Sequence, residues 1–192
     1  MARAALRNAT VDDLEALVRH RRGMWAETSD TPSAELDALD REYRRWARTR
    51  LRSGRLVGFI VEAADGHLAA SGCLWLMPSQ PRVRWRGLLV PYLMAMYTEK
   101  ADRGQGHATR IVREAVRWSR VHGYPMLVLH ASKPGRGIYE REGFAPTTEM
   151  RLRLDGPARA PRRRRRRDAS RRTPRRRGPH GGRPPDHASL QI

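Results

Sequence analysis

Two glycines between an apolar run and an amphipathic one carry the first chemical signal in this chain. Met94 to Val112 reads M-A-M-Y-T-E-K-A-D-R-G-Q-G-H-A-T-R-I-V. The run Pro91 to Thr98 has strand character, and a loop holding Gly104 and Gly106 leads directly into a helical pattern beginning near Ala108. Backbone N–H groups can converge on one point where no Cβ stands in the way, and a helix N-terminus adds its dipole. The loop therefore suits a pyrophosphate group, and the spacing predicts a coenzyme-binding enzyme.

Such a loop works only if strands and helices hold it. Ala4 to Asn8 reads as a short strand, and Thr10 with Asp13 reads as a capping box opening a helix that turns Leu14, Leu17, Val18 and Trp25 inward. Ser33 can cap a second helix, whose Leu36, Leu39, Tyr43, Trp46, Ala47 and Leu51 recur at helical spacing until Ser53-Gly54. Leu56 to Glu62 and Leu68 to Met77 flank Asp65-Gly66, a hairpin signal. Pro78 to Val90, with two prolines and Arg82, Arg84, Trp85 and Arg86, reads as a loop.

After the cradle, Ala108, Ile111, Val112, Ala115 and Val116 give one apolar helix face, and Gly123 ends that helix. Met126 to His130 reads as an apolar strand ending in histidine, Arg136 to Glu142 as a short helix, and Phe144 to Leu154 as a last strand. The order β-α-α-β-β-β-α-β-α-β predicts an α/β fold with a mixed sheet.

Downstream of the cradle stands Ile138-Tyr139-Glu140-Arg141-Glu142-Gly143-Phe144. Together with Arg103-x-x-Gly106-x-Ala108, it resembles the GNAT superfamily of acetyl-coenzyme A-dependent N-acetyltransferases, whose coenzyme loop reads [Q/R]-x-x-G-x-[G/A] and whose later helix reads L-Y-E-K-x-G-F. The resemblance covers about residues 3 to 154. It implies a GNAT-like fold with splayed central parallel strands, here Pro91 to Thr98 and Met126 to His130, and acetyl-CoA as cosubstrate. It also implies that Met96, Tyr97 and Thr98 contact the pantetheine arm, and that Arg103, Gly104, Gln105, Gly106, His107 and Ala108 hold the pyrophosphate. Ser132 stands where many members have an asparagine that contacts the coenzyme.

By the same resemblance the reaction is attack of a neutral primary amine, on a small molecule or a protein, upon the thioester. Tyr139 matches the family's tyrosine and is the expected general acid, a phenol of reference pKa about 10 protonating a thiolate of about 8.5; packing against the coenzyme is its other reading. Pro91-Tyr92-Leu93-Met94 lacks the carboxylate that some members use as base. His130 is the first candidate in its place, as a strand-end imidazole, although a structural role is open to it. Glu99 and Glu149 are lesser candidates, which could instead cap, pair with arginines or hold the substrate ammonium. Trp25, Glu27 and Trp85 are candidate acceptor contacts.

Composition separates the chain into two parts. There are 39 Lys plus Arg against 20 Asp plus Glu in 192 residues, a formal charge of +19. Most of that charge follows Met150, where six consecutive arginines, Arg162 to Arg167, stand among proline and glycine. Residues 1–155 are expected to form the domain, and 156–192 a disordered Arg/Pro/Gly-rich tail. The tail suggests non-specific nucleic-acid contact, and a nucleic-acid-binding protein acting through it is the rival function; an extension encoded by GC-rich DNA is the third reading.

Cys73, the only cysteine, excludes an internal disulfide and a multi-cysteine metal site, and no metal is expected. No window approaches the roughly 20 apolar residues of a membrane span, and no signal peptide is evident, so a cytoplasmic location is expected. A single closing strand leaves an edge that a second subunit could cover as a homodimer.

Overall fold

The computed structural model describes residues 4–81, 83 and 86–152. The chain divides into two units, Met1–Thr147 and Thr148–Ile192, and every helix and strand named below belongs to the first. The tail and Arg82, Arg84 and Trp85 lie outside the described residues.

Local sequence starts the first elements. After β1 (Ala5–Asn8), the Thr10 hydroxyl accepts the Asp12 N–H at 3.2 Å while Asp13 Oδ2 accepts the Thr10 N–H at 2.8 Å. That box opens a 3₁₀ turn, Val11–Asp13, which runs into α1 (Leu14–Thr28). The second helix, α2 (Ser33–Arg52), begins differently from expectation: Pro32 is its N-cap, and Ser33 is already helical. The Ser33 hydroxyl accepts from Arg22 Nη2 at 3.0 Å instead.

Strands β2 (Leu56–Glu62), β3 (Leu68–Pro78) and β4 (Leu89–Thr98) follow, then a 3₁₀ turn at Lys100–Asp102, α3 (His107–Val121), β5 (Val128–Leu129) and α4 (Arg136–Arg141). The sheet order is β1-β2-β3-β4-β5, antiparallel except for the β4–β5 pair. Side chains alternate across it, as strand geometry requires. Ile60 and Cys73 pack with Leu17, Tyr43 and Ala47 of α1 and α2, whereas Phe59, Val61 and Leu74 pack with Ile111, Val112 and Ala115 of α3. Helices on both faces thus bury a sheet that holds the loop ends.

One irregularity shapes everything that follows. Ser71 pairs with Tyr97 but Cys73 pairs with Met94, so Gly72 alone faces both Ala95 and Met96. Ala95 takes φ 52°, a left-handed value rare for a residue with a Cβ. A Cβ on Gly72 would collide with the Met96 sulfur, so glycine is needed opposite this bulge. Beyond it β4 leaves β5: the parallel ladder holds only Tyr92 with Val128 and Leu93 with Leu129.

Three expectations are corrected. The strand expected over Met126 to His130 is reduced to Val128–Leu129, because its partner β4 bends away. The last strand expected over Phe144 to Leu154 does not form within residues 144–152, where Met150 and Leu152 are exposed; their alternation is local, and a strand needs a paired edge. Trp25 does not enter the core but stays 37% exposed.

Candidate active site

A cavity of about 740 Å³ opens where β4 and β5 part. Its walls come from the C-terminal turn of α1, the end of β4, the loop into α3, and the segment from His130 to Arg141. Of the residues expected to meet the coenzyme, Met96, Tyr97, Thr98, Arg103, Gly104, Gly106, His107, Ala108 and Ser132 all line it; Gln105 does not.

The cradle has the conformation that its glycines permit. Gly104 and Gly106 have φ of 80° and 79°, and a Cβ on either would point into space with nothing within 4 Å. Gly106 caps α3, so the first free N–H groups of a 15-residue helix open onto that space. His107, only 6% exposed, has its Nδ1 buried without a hydrogen-bond partner. Open room before a helix N-terminus fits a polyanionic coenzyme.

The Arg103 guanidinium is engaged at the rim of the cavity. Its Nε donates to the Thr98 carbonyl at 3.1 Å, and its Nη2 donates to both Glu27 oxygens at 2.8 Å, tying the end of α1 to the loop. Arg103 holds the Glu27 carboxyl below the usual carboxylate range. The Tyr97 hydroxyl also donates to Glu27, at 3.4 Å, and its phenol is pushed up by burial and by Glu99 and Glu27. The Tyr97 ring lies so close to α1 that a Cβ on Gly23 would sit 2.7 Å from its Cζ. The Arg21 guanidinium lies over the Trp25 ring, 5.7 Å from its centre, and over the Tyr43 ring at 4.5 Å.

Across the cavity, Tyr139 packs edge-on to Phe144, and burial followed by the neighbouring Tyr92 pushes its phenol up. His130 Nδ1 lies 2.6 Å from the Tyr92 hydroxyl, with the rings 5.4 Å apart. Ser132 lines the same wall, and its hydroxyl accepts the Gly135 N–H at 3.2 Å, which shapes the turn into α4.

Other candidates stand elsewhere. The Glu99 carboxylate is 3.3 Å from Nε2 of buried His20 and 4.0 Å from Arg19, and it does not line the cavity. Burial pushes the His20 imidazole down, with Glu99 opposing, and its Nδ1 is 2.8 Å from the Ser71 hydroxyl. Glu149 belongs to the second unit, where it accepts from Arg151 Nε at 2.7 Å. Trp85 lies outside the described residues. The Cys73 thiol, fully enclosed, is pushed up to about 12 by burial, which suits packing rather than nucleophilic chemistry.

Tyr92 was missed from sequence. Its signal was the parallel register: Tyr92 faces Val128, so its side chain shares a face with His130 two residues on. Among the described residues, no His, Cys, Asp and Glu group is arranged for a metal ion, and no helix is long and apolar enough to cross a membrane.

The chain matches the model of the acetyltransferase (GNAT) family over residues 14–144. It is similar to the solved GCN5-related N-acetyltransferase from Ralstonia eutropha, with 28% identity and a TM-score of 0.73 over 80% of this chain and 100% of that one. A predicted acetyltransferase from Clostridium acetobutylicum, solved with acetyl-CoA, is 27% identical with a TM-score of 0.71 over 79% of this chain and 97% of that one. The glucosamine-6-phosphate N-acetyltransferase of Arabidopsis thaliana shares the fold at 17% identity, with a TM-score of 0.59 over 80% of this chain and 100% of that one. Among curated proteins none matches the chain significantly.

Proposed function

Because this chain belongs to the GNAT acetyltransferase family, we propose that it moves the acetyl group of acetyl-CoA onto a primary amine in the cavity between β4 and α4. The observation that carries this reading is the alignment of the left-handed Gly104 and Gly106, the α3 N-terminus and the opened β4–β5 ladder along one cavity. Acetyl-CoA supplies an activated thioester whose sulfur leaves as a thiolate.

The chain's own groups then divide the work. Backbone N–H groups from Gly104 to Ala108 bind the pyrophosphate, and the stretch of β4 past Leu93, left without a β5 partner, receives the pantetheine arm as an added strand. A backbone N–H near the bulge polarises the thioester carbonyl. Tyr139, kept a neutral phenol by its surroundings, donates its proton to the departing sulfur.

His130 takes a proton from the acceptor ammonium, directly or through water, and the neutral amine attacks the thioester carbonyl. As the C–S bond breaks, the nitrogen sheds a second proton that replaces the one Tyr139 gives to sulfur. The role of His130 needs its Nδ1–H to donate to the Tyr92 oxygen, so that Nε2 is the basic nitrogen. Trp25 and Glu27 face the acceptor, where the carbonyl end of α1 favours a cation. Acetyl-CoA offered with a panel of small amines, polyamines and N-terminal peptides tests the reading. Thiol release matched by acetylated amine supports it; no release with any amine class contradicts it.

A further inference from the structure

The turn between β2 and β3 reaches the start of the coenzyme loop through the His67 side chain. His67 Nδ1 lies 2.6 Å from Asp65 Oδ1 within the turn, and His67 Nε2 lies 3.0 Å from Asp102 Oδ2. Asp102 immediately precedes Arg103, is 8% exposed and lines the cavity. Its own N–H donates to the Glu99 carbonyl, closing the 3₁₀ turn that launches the loop.

Two carboxylates on one imidazole have a definite protonic meaning. A carboxylate only accepts, and a neutral imidazole has one N–H, so both contacts together require the imidazolium. Asp102 without a cation would leave a buried negative charge on the wall of a cavity suited to phosphates. His67 removes that charge and anchors the residue next to the cradle.

We propose that His67 is a positioning residue for the coenzyme loop: as an imidazolium it joins Asp65 to Asp102, neutralises the cavity wall and holds Arg103–Ala108 in register for acetyl-CoA. This rests on the coenzyme reading of that loop. Among the described residues, Asp102 and then Asp65 are the charged groups that raise the His67 imidazole above its ordinary range. The latch is therefore complete below about pH 6.5, the unperturbed histidine value, and opens as pH rises through the raised one.

Calorimetric titration of acetyl-CoA from about pH 6 to about pH 9 on the full chain and on His67→Gln tests this, since phosphate ionisation is common to both proteins. At low pH the variant should bind about threefold more weakly, and the two curves should merge at high pH. The loss should appear in KM for acetyl-CoA rather than in kcat, and His67→Arg, a permanent cation, should restore affinity without the pH dependence. Superimposable curves for wild type and His67→Gln overturn the proposal.

Proton NMR of the imidazole provides the second reading, because Asp102→Asn should lower the His67 titration midpoint. An unmoved midpoint also overturns the proposal. Failure of the wild type to bind acetyl-CoA at any pH overturns the coenzyme reading and with it this role; the midpoint then tells a latch without that ligand from no latch.

Discussion

The Tyr92 hydroxyl stands 2.6 Å from His130 Nδ1, across the last rungs of the β4–β5 ladder. The pair sits where the two strands begin to part, so the geometry that opens the cavity also sets the direction of the histidine. Tyr92→Phe should keep the ring in place but remove that contact. We expect kcat to fall by about tenfold and acetyl-CoA affinity to change little, whereas His130→Gln should lose about a hundredfold or more in kcat. Steady-state kinetics with acetyl-CoA varied checks both; equal kcat for the three proteins would remove His130 from the chemistry.

Tyr139→Phe separates acid catalysis from packing. The ring stays against Phe144 and only the hydroxyl is lost. Turnover should drop by about a hundredfold while coenzyme affinity stays within about twofold. Parallel losses in both would assign the tyrosine to packing.

The Arg103–Glu27 pair links the acceptor side to the coenzyme side. Glu27→Gln should weaken the tether of α1 and raise KM for the amine by about threefold, with a smaller change for acetyl-CoA. Two-substrate kinetics reads the split directly. A change confined to acetyl-CoA would mean that Glu27 serves the loop alone.

Stability should have an acid limb set in part by Asp13. Its carboxyl is held below the usual range first by Arg7, which bonds it through both terminal nitrogens at 2.8 Å, and it closes the Thr10 box as well. A depressed carboxyl stabilises the fold above about pH 4 and loses that contribution as pH falls. Asp13→Asn keeps an oxygen for the Thr10 N–H but loses the charge facing Arg7, and should cost about 1 kcal/mol near neutrality. Thermal melts of the two proteins should converge on acidification.

What sequence disclosed and what it did not follow the range of each interaction. The Thr10–Asp13 box spans three residues, and Gly104 and Gly106 sit inside one loop, so residue type and local spacing sufficed. His67–Asp102 and Tyr92–His130 join residues 35 and 38 positions apart. Their meeting depends on the sheet register and on the bulge at Ala95 and Met96, which no local pattern around Gly72 announces. Gly23 was equally silent: its need for a bare Cα arises only because the Tyr97 ring, 74 residues later in the chain, lies on α1. The shortness of β5 has the same origin, since Met126 to His130 has strand composition throughout and lacks only a straight partner.

Binding of acetyl-CoA to the wild type and to Gly106→Val, followed by calorimetry, decides whether the Gly104–Gly106 loop holds the coenzyme. A valine must adopt a φ near 79° and aim its branched side chain into the space before α3, where the phosphates are expected. The wild type should show one saturable site per chain and the variant at least about a hundredfold weaker binding, with the fold retained by circular dichroism. Wild-type protein that takes up no acetyl-CoA, or a folded variant that binds it equally well, would contradict the assignment of this loop.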